Sequence, residues 1–303
     1  MAGLYAEKGF FLYCICPAIP LFFYNMSRIH AYILLTRPAN LLIAFISIFA
    51  GGFVTGSVQP LFLLLMACVS GTLIMAGANA INDFYDLDID KVNRPSRPLP
   101  AGLILPGAAR LFGVICMGLG VVLALRIHLT ATIIALSASL LVYIYSWRLK
   151  GTAVWGNLVV SLVTAFAFVY GGLAVGRMGN ALIVGAFAFL YHWGREIIKD
   201  IEDMAGDRKQ GLGTLPLKYG MRTAMTWATA ILGLLVVVTI LPFLSGYFNH
   251  WYLAIVVVGV DFFLIYVIFS MWMRPEPAHL GKLALWMKAD MLMGLLAVYA
   301  GSR

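Results

Sequence analysis

Two stretches of this chain concentrate its acids. Residues 80–100 read AINDFYDLDIDKVNRPSRPLP, with Asp83, Asp86, Asp88 and Asp90 inside eight positions. Residues 195–207 read REIIKDIEDMAGD, with Glu196, Asp200, Glu202, Asp203 and Asp207. These are nine of the thirteen Asp and Glu in the whole chain, so their clustering is not background. On a helix at about 100° per residue, Asn82, Asp83, Asp86 and Asp90 share an arc of about 100°, while Asp88 points away. Glu196, Asp200, Asp203 and Asp207 share an arc of about 60°, with Glu202 opposite. Bases follow closely: Lys91, Arg94 and Arg97 after the first row, Arg208 and Lys209 after the second, and Arg148 and Lys150 at the end of YSWRLK. Rows of carboxylates beside guanidinium and ammonium groups suit a Mg²⁺–diphosphate, in which acids hold the metal and bases hold phosphate oxygens. A solvated loop with surface ion pairs is the plainer reading of one such cluster. Matched helical spacing in two clusters disfavours it.

The elements that must position these rows are membrane helices. The 303 residues are 62% hydrophobic and only 11% charged, with a mean hydropathy of +0.93. Apolar runs at 31–55, 61–81, 107–126, 130–147, 153–175, 181–195, 223–245, 251–272 and 283–300 predict nine spans in one bundle, an all-α polytopic membrane protein. No compositional break marks a soluble domain, so residues 29–303 read as one nine-helix unit around a central cavity. Residues 1–28 carry an apolar segment interrupted by Pro17 and Pro20, which predicts an interfacial piece rather than a span or a signal peptide. Cys14, Cys16, Cys68 and Cys116 lack metal-ligand or disulfide spacing.

Most Lys and Arg lie at the even-numbered connections; only Arg126, Arg177 and Arg303 fall on the other side. The positive-inside rule then predicts a multi-pass plasma-membrane protein with a cytoplasmic N-terminus, an external C-terminus and both acid rows on the cytoplasmic side. The +8 net charge is thereby explained as topology, and no nucleic-acid module is present. An ionised acid at mid-membrane costs about 2.5–3.5 kcal/mol. Seven aligned acids facing lipid would therefore cost on the order of 20 kcal/mol, so they must line a wet cavity and be neutralised there.

With these residues in view, the chain resembles the UbiA-type intramembrane prenyltransferases. NDFYDLDID is similar to their NDxxDxxxD motif through Asn82, Asp83, Asp86 and Asp90, and KDIEDMAGD to their DxxDxxxD motif through Asp200, Asp203 and Asp207. Arg94, RPLP from Arg97 and YSWRLK from Tyr145 also look like family features. REIIKDIEDMAGD followed by GLGTLP, with RPAN at residues 37–40, looks most like the archaeal digeranylgeranylglyceryl phosphate synthase branch. The long segment before residue 28 departs from the usual short N-terminus.

The resemblance implies transfer of a geranylgeranyl group from its diphosphate to the hydroxyl of geranylgeranylglyceryl phosphate in ether-lipid synthesis, with two Mg²⁺ ions. It implies Asp86, Asp90, Asp203 and Asp207 as catalytic metal ligands, and Asn82, Asp83 and Asp200 as ligands or their supports. Lys91, Arg94, Arg97, Lys150 and Lys209 become candidates for phosphate contacts, Tyr145 a family feature near substrate, and Asn40 either a substrate contact or a packed amide. Asp261 and Asp290 are left outside the site, as is His192. The rival readings are prenylation of an aromatic acceptor such as 4-hydroxybenzoate or a naphthoate, and, from another class, an ion-coupled transporter. Acids stacked at helix ends beside bases disfavour the transporter.

Overall fold

The computed structural model describes residues 28–301. The expectations for the N-terminal segment, including Cys14 and Cys16, lie outside the described residues. Among those described the chain is helical: α1 (Arg28–Thr36), α2 (Pro38–Phe53), α3 (Leu61–Tyr85), α4 (Leu87–Asn93), α5 (Pro106–Ala124), α6 (Leu129–Leu149), α7 (Trp155–Ala174), α8 (Gly179–Lys209), α9 (Leu215–Tyr219), α10 (Met221–Leu244), α11 (His250–Met273) and α12 (Pro277–Gly301). Eight of these helices are long and apolar enough to cross a membrane, and the bent pair α1–α2 would make a ninth. This is a multi-pass membrane protein.

The first expected span is therefore not one straight helix. It bends by 46° at Arg37, which adopts a left-handed conformation with φ 54°. Pro38 explains the break. It opens α2 at its first position, where its missing N–H costs nothing, and it disfavours helical geometry at the residue before it.

Two lobes meet where α7 packs against the long helix α8. One packs α2, α3, α5, α6 and α7 around Ile48, Leu64, Cys68, Ile74 and Tyr170. The other packs α8, α10, α11 and α12 around Ile197, Ile201, Leu232, Leu264 and Leu283. Lipid tails are as apolar as the helices, so close backbone approach rather than hydrophobic burial holds such a bundle. At Gly171 of α7 a Cβ would lie 1.8 Å from the Ile48 carbonyl oxygen of α2, and at Gly77 of α3 one would lie 2.5 Å from the Gly113 carbonyl oxygen of α5. Any side chain at either glycine would push the helices apart.

Helix length places the acids. α8 has 31 residues, about 46 Å of rise against a hydrocarbon core of about 30 Å. Its last turns therefore project past the apolar layer and carry Asp200, Asp203 and Asp207 to the rim. α3, with 25 residues, delivers Asn82 and Asp83 to that rim in the same way.

Candidate active site

The first acid row is not on one continuous helix. α3 ends at Tyr85, Asp86 turns at φ −86° and ψ 2°, and α4 restarts at Leu87. The expected face survives the break: Asp83, Asp86 and Asp90 are buried, whereas Asp88 is exposed and pairs with Lys91 at 2.9 Å. Each buried carboxylate meets a base. Asp83 accepts from Arg37 and, at 3.4 Å, from Arg97. Arg97 also donates to Asp90, and Lys150 donates to Asp86. Asn82 Nδ2 donates to the same Asp86 oxygen at 2.7 Å.

Amides brace the bend that delivers Arg37. Asn79 Nδ2 donates to the Thr36 carbonyl at 2.7 Å, and its own oxygen accepts from Asn40 Nδ2 at 3.3 Å. This ties α1 and α2 to α3 one turn before the acid row.

The second row meets no such bases. Asp200 accepts from Asn157 Nδ2 of α7 at 2.7 Å, and Asp207 from Thr214 Oγ1 at 3.3 Å. Among the described residues no Lys or Arg forms an ion pair with Asp200, Asp203 or Asp207. Glu196, one turn earlier, is held by Arg195, with Lys199 4.0 Å away.

The two rows face one another. Tyr145 lies where Glu196, Asp200, Asp86 and Asp207 all act on its hydroxyl, and the Lys150 ammonium acts on Asp207 as well as pairing with Asp86. The connection that carries Lys150 is joined to the one after the second row by a parallel bridge between Thr152 and Gly213, in which the Gly213 N–H donates to the Gly151 carbonyl at 2.8 Å. Beneath the rim an apolar cavity of about 80 Å³ opens between α2, α3, α6 and α7, bounded by Ile48, Met75, Ala78, Val142, Phe166 and Tyr170. Ala78 is one helical turn from Asn82, so the cavity lies directly below the first row.

Among the described residues no three carboxylate or imidazole groups converge closely enough to chelate an ion unaided. The donor set still fits Mg²⁺, which takes one or two carboxylates and leaves its other positions to phosphates and waters. The second row in particular offers oxygen donors that, among the described residues, no base pairs with.

Residues 40–288 match the UbiA prenyltransferase family. The chain belongs to that family. It is 37% identical over 273 residues to a digeranylgeranylglyceryl phosphate synthase of Methanopyrus kandleri, covering 89% of this chain and 98% of the relative. It is 32% identical over 271 residues to one from Methanothermobacter thermautotrophicus, covering 89% and 95%. A solved structure of a digeranylgeranylglyceryl phosphate synthase superposes with a TM-score of 0.82 at 33% identity, over 91% of this chain and 98% of the other. A UbiA homologue from Archaeoglobus fulgidus, bound to GPP and Mg²⁺, shares the fold with a TM-score of 0.69 at 23% identity, over 88% and 99%.

This UbiA protein is thus an intramembrane prenyltransferase, and the ion-coupled transporter falls away. Its structure sorts the residues expected from sequence. Asn82, Asp83, Asp86, Asp90, Arg97, Tyr145, Lys150, Asp200 and Asp207 gather at the rim. Asp203 is exposed on the same stretch of α8, Arg94 and Lys209 are exposed near their rows, and Lys91 lies on the outer face with Asp88. Asn40 is bonded to Asn79, away from the carboxylates. Asp261 and Asp290 sit deep in the other lobe, bonded to Thr239 and Tyr191.

Four polar residues of this UbiA site went unassigned in the sequence: Arg37, Asn79, Asn157 and Thr214. The Arg37–Pro38 pair did carry a signal, since a base beside a helix break is held at a fixed point. Asn157 carried another, because an amide in an apolar helix needs a partner.

Proposed function

We propose that this prenyltransferase moves a geranylgeranyl group from its diphosphate to the free hydroxyl of geranylgeranylglyceryl phosphate, with the site opening to the cytoplasm, the N-terminus inside and the C-terminus outside. The observation that carries the reading is the pairing of two opposed carboxylate rows, one covered by Arg37, Arg97 and Lys150 and the other uncovered, above an apolar cavity. The relatives named digeranylgeranylglyceryl phosphate synthase support the donor and acceptor. The crowding of Lys and Arg on the connections that carry the rows supports the orientation.

Asp86, Asp90, Asp203 and Asp207 would hold two Mg²⁺ ions, with Asn82, Asp83 and Asp200 as further oxygen donors or supports. When bound, the metal supplies positive charge to a diphosphate leaving group. Arg97, Lys150 and Arg37 already stand at the rim, and Arg94, Lys91 and Lys209 lie around it, giving donors for phosphate oxygens of donor and acceptor. The isoprenoid chain runs into the cavity bounded by Met75, Val142 and Phe166. Held there, the allylic C1–O bond breaks with its electron pair leaving on the diphosphate. The acceptor hydroxyl oxygen then bonds to C1 and releases its proton. Arginine and lysine fixed beforehand around the leaving group do the electrostatic part of this work without reorganising.

A competition assay tests the reading. Labelled geranylgeranyl diphosphate is offered to the enzyme in liposomes with geranylgeranylglyceryl phosphate, 4-hydroxybenzoate and a dihydroxynaphthoate, and products are resolved by mass. Labelled digeranylgeranylglyceryl phosphate is expected. Labelling confined to an aromatic product would overturn the acceptor assignment.

A further inference from the structure

A polar cluster on the outside of the bundle takes no part in the site. Arg110 of α5 donates through Nη2 to the Tyr143 hydroxyl of α6 at 3.1 Å, and Tyr85 at the end of α3 donates to the same oxygen at 3.2 Å. The guanidinium carbon of Arg110 stands 5.6 Å from the centroid of the Phe84 ring. Among the described residues no carboxylate forms an ion pair with Arg110.

The arrangement is one of surplus donors. The Tyr143 oxygen already accepts twice, so its own proton is directed at a further acceptor, and Arg110 uses one of its five N–H groups. A topology-setting arginine reaching for water would have no need of two phenols and a ring to hold it in place.

The surface below says what the acceptor is attached to. Val114, one turn after Arg110, is 48% exposed; Leu140 and Leu136, three and seven residues before Tyr143 and on its face of α6, are 55% and 48% exposed. The cavity-lining residues of α6, Ala135, Ala138 and Val142, lie on another face of that helix, about 80–140° round from Tyr143. A fixed, uncompensated cation with hydroxyl donors therefore heads an outward apolar strip at the same rim as the acid rows.

We propose that Arg110, Tyr143 and Tyr85 form a binding site for the phosphate headgroup of an anionic lipid of the surrounding bilayer, whose hydrocarbon lies along Val114, Leu136 and Leu140. The site is separate from the reacting centre and does not depend on which acceptor the enzyme uses.

The test is a lipid titration of the purified full-length protein in detergent, read by thermal shift. Phosphatidic acid is compared with phosphatidylcholine and with inorganic phosphate, in the wild type, Arg110→Gln, Tyr143→Phe and the control Arg222→Gln, which alters an exposed base of α10. Phosphatidic acid is expected to raise the wild-type midpoint where the other two do not. Apparent affinity should fall at least about tenfold in Arg110→Gln and less in Tyr143→Phe, as loss of a charge-assisted and a neutral hydrogen bond would give, and should hold in Arg222→Gln. If Arg110→Gln does not fold, Tyr143→Phe and Arg110→Lys decide, each expected to weaken the lipid response. Unchanged affinity in the folded variants overturns the site, as does an equal response to phosphatidylcholine or to inorganic phosphate. A rise in acceptor KM without loss of the lipid response would reassign the cluster to the acceptor and also overturn it.

Discussion

The two acid rows are near mirror images in sequence and opposites in structure. Asp83, Asp86 and Asp90 are buried and each is met by a base of the same chain. Among the described residues Asp200 is met by an amide and Asp207 by a hydroxyl, and no base pairs with Asp203. Burying a carboxylate without a partner is costly, and the first row avoids that cost because Arg37, Arg97 and Lys150 come to it from three distant parts of the chain. The second row sits at the protruding end of α8, where Asp203 is exposed, and among the described residues no base pairs with it. A metal–diphosphate has both the cations that the second row lacks and the anion that can share the bases of the first.

The sharpest way to break this contrast is to remove the metal. Excess chelator should abolish prenyl transfer to below detection in a product assay, since the uncovered row then repels the diphosphate. Activity undiminished under chelation would show that the second row needs no cation.

Next in size are single carboxylates. Asp86→Ala and Asp203→Ala should each lower kcat by about a hundredfold or more, through lost charge stabilisation of the leaving group. The comparison predicts that they part company in stability. Asp86→Ala strands Lys150 and lowers the thermal midpoint, whereas Asp203→Ala, which removes an exposed acid from a crowded row, leaves it unchanged or higher. Equal midpoints would mean that the two rows are not neutralised differently.

Arg97 sharpens the point from the basic side. It serves both Asp83 and Asp90, so Arg97→Ala should destabilise the protein by about 3 kcal/mol, the cost of leaving buried carboxylates short of a partner. Chemical denaturation in detergent reads this, and a loss indistinguishable from that of Arg94→Ala would sink the shared-base reading.

The smallest effects belong to the acids that point away. Asp88→Ala and Glu202→Ala should change turnover by less than about threefold. The Asp88–Lys91 pair is exposed and is worth no more than about 1 kcal/mol.

Spacing alone carried much of this. Separation of Asp88 from Asp83, Asp86 and Asp90 followed from helical periodicity, and the structure divides them the same way by burial. Sequence neighbourhood was a poorer guide for the bases. Lys91 follows Asp90 directly, yet three residues is the helical interval that pairs it with Asp88. The base that does reach Asp83, Arg37, is 46 residues away, and its direction depends on tertiary contacts through Asn79 as well as on the break at Pro38. The turn at Asp86 was illegible for a different reason, since neither Gly nor Pro marks it. Eight of the nine expected spans appear as helices long and apolar enough to cross a membrane, because long apolar runs are strong signals; the first is instead a bent pair, broken where Pro38 interrupts it.

The unbroken course of α8 through its acids sets rules for how this gene can change. From Asp200 to Asp207 the helix climbs about 10 Å in two turns, and nothing inside that stretch can absorb an extra residue. A single insertion there would swing every later acid by about 100° and advance it by about 1.5 Å, so Asp207 would leave the opposing row. Seven inserted residues would restore the facing but carry Asp207 out by another 10 Å or so. The first row, hinged at Asp86, has a joint where a length change can be taken up. In the grammar of mutation, α8 tolerates respelling on its outer face but no shift of frame within the helix.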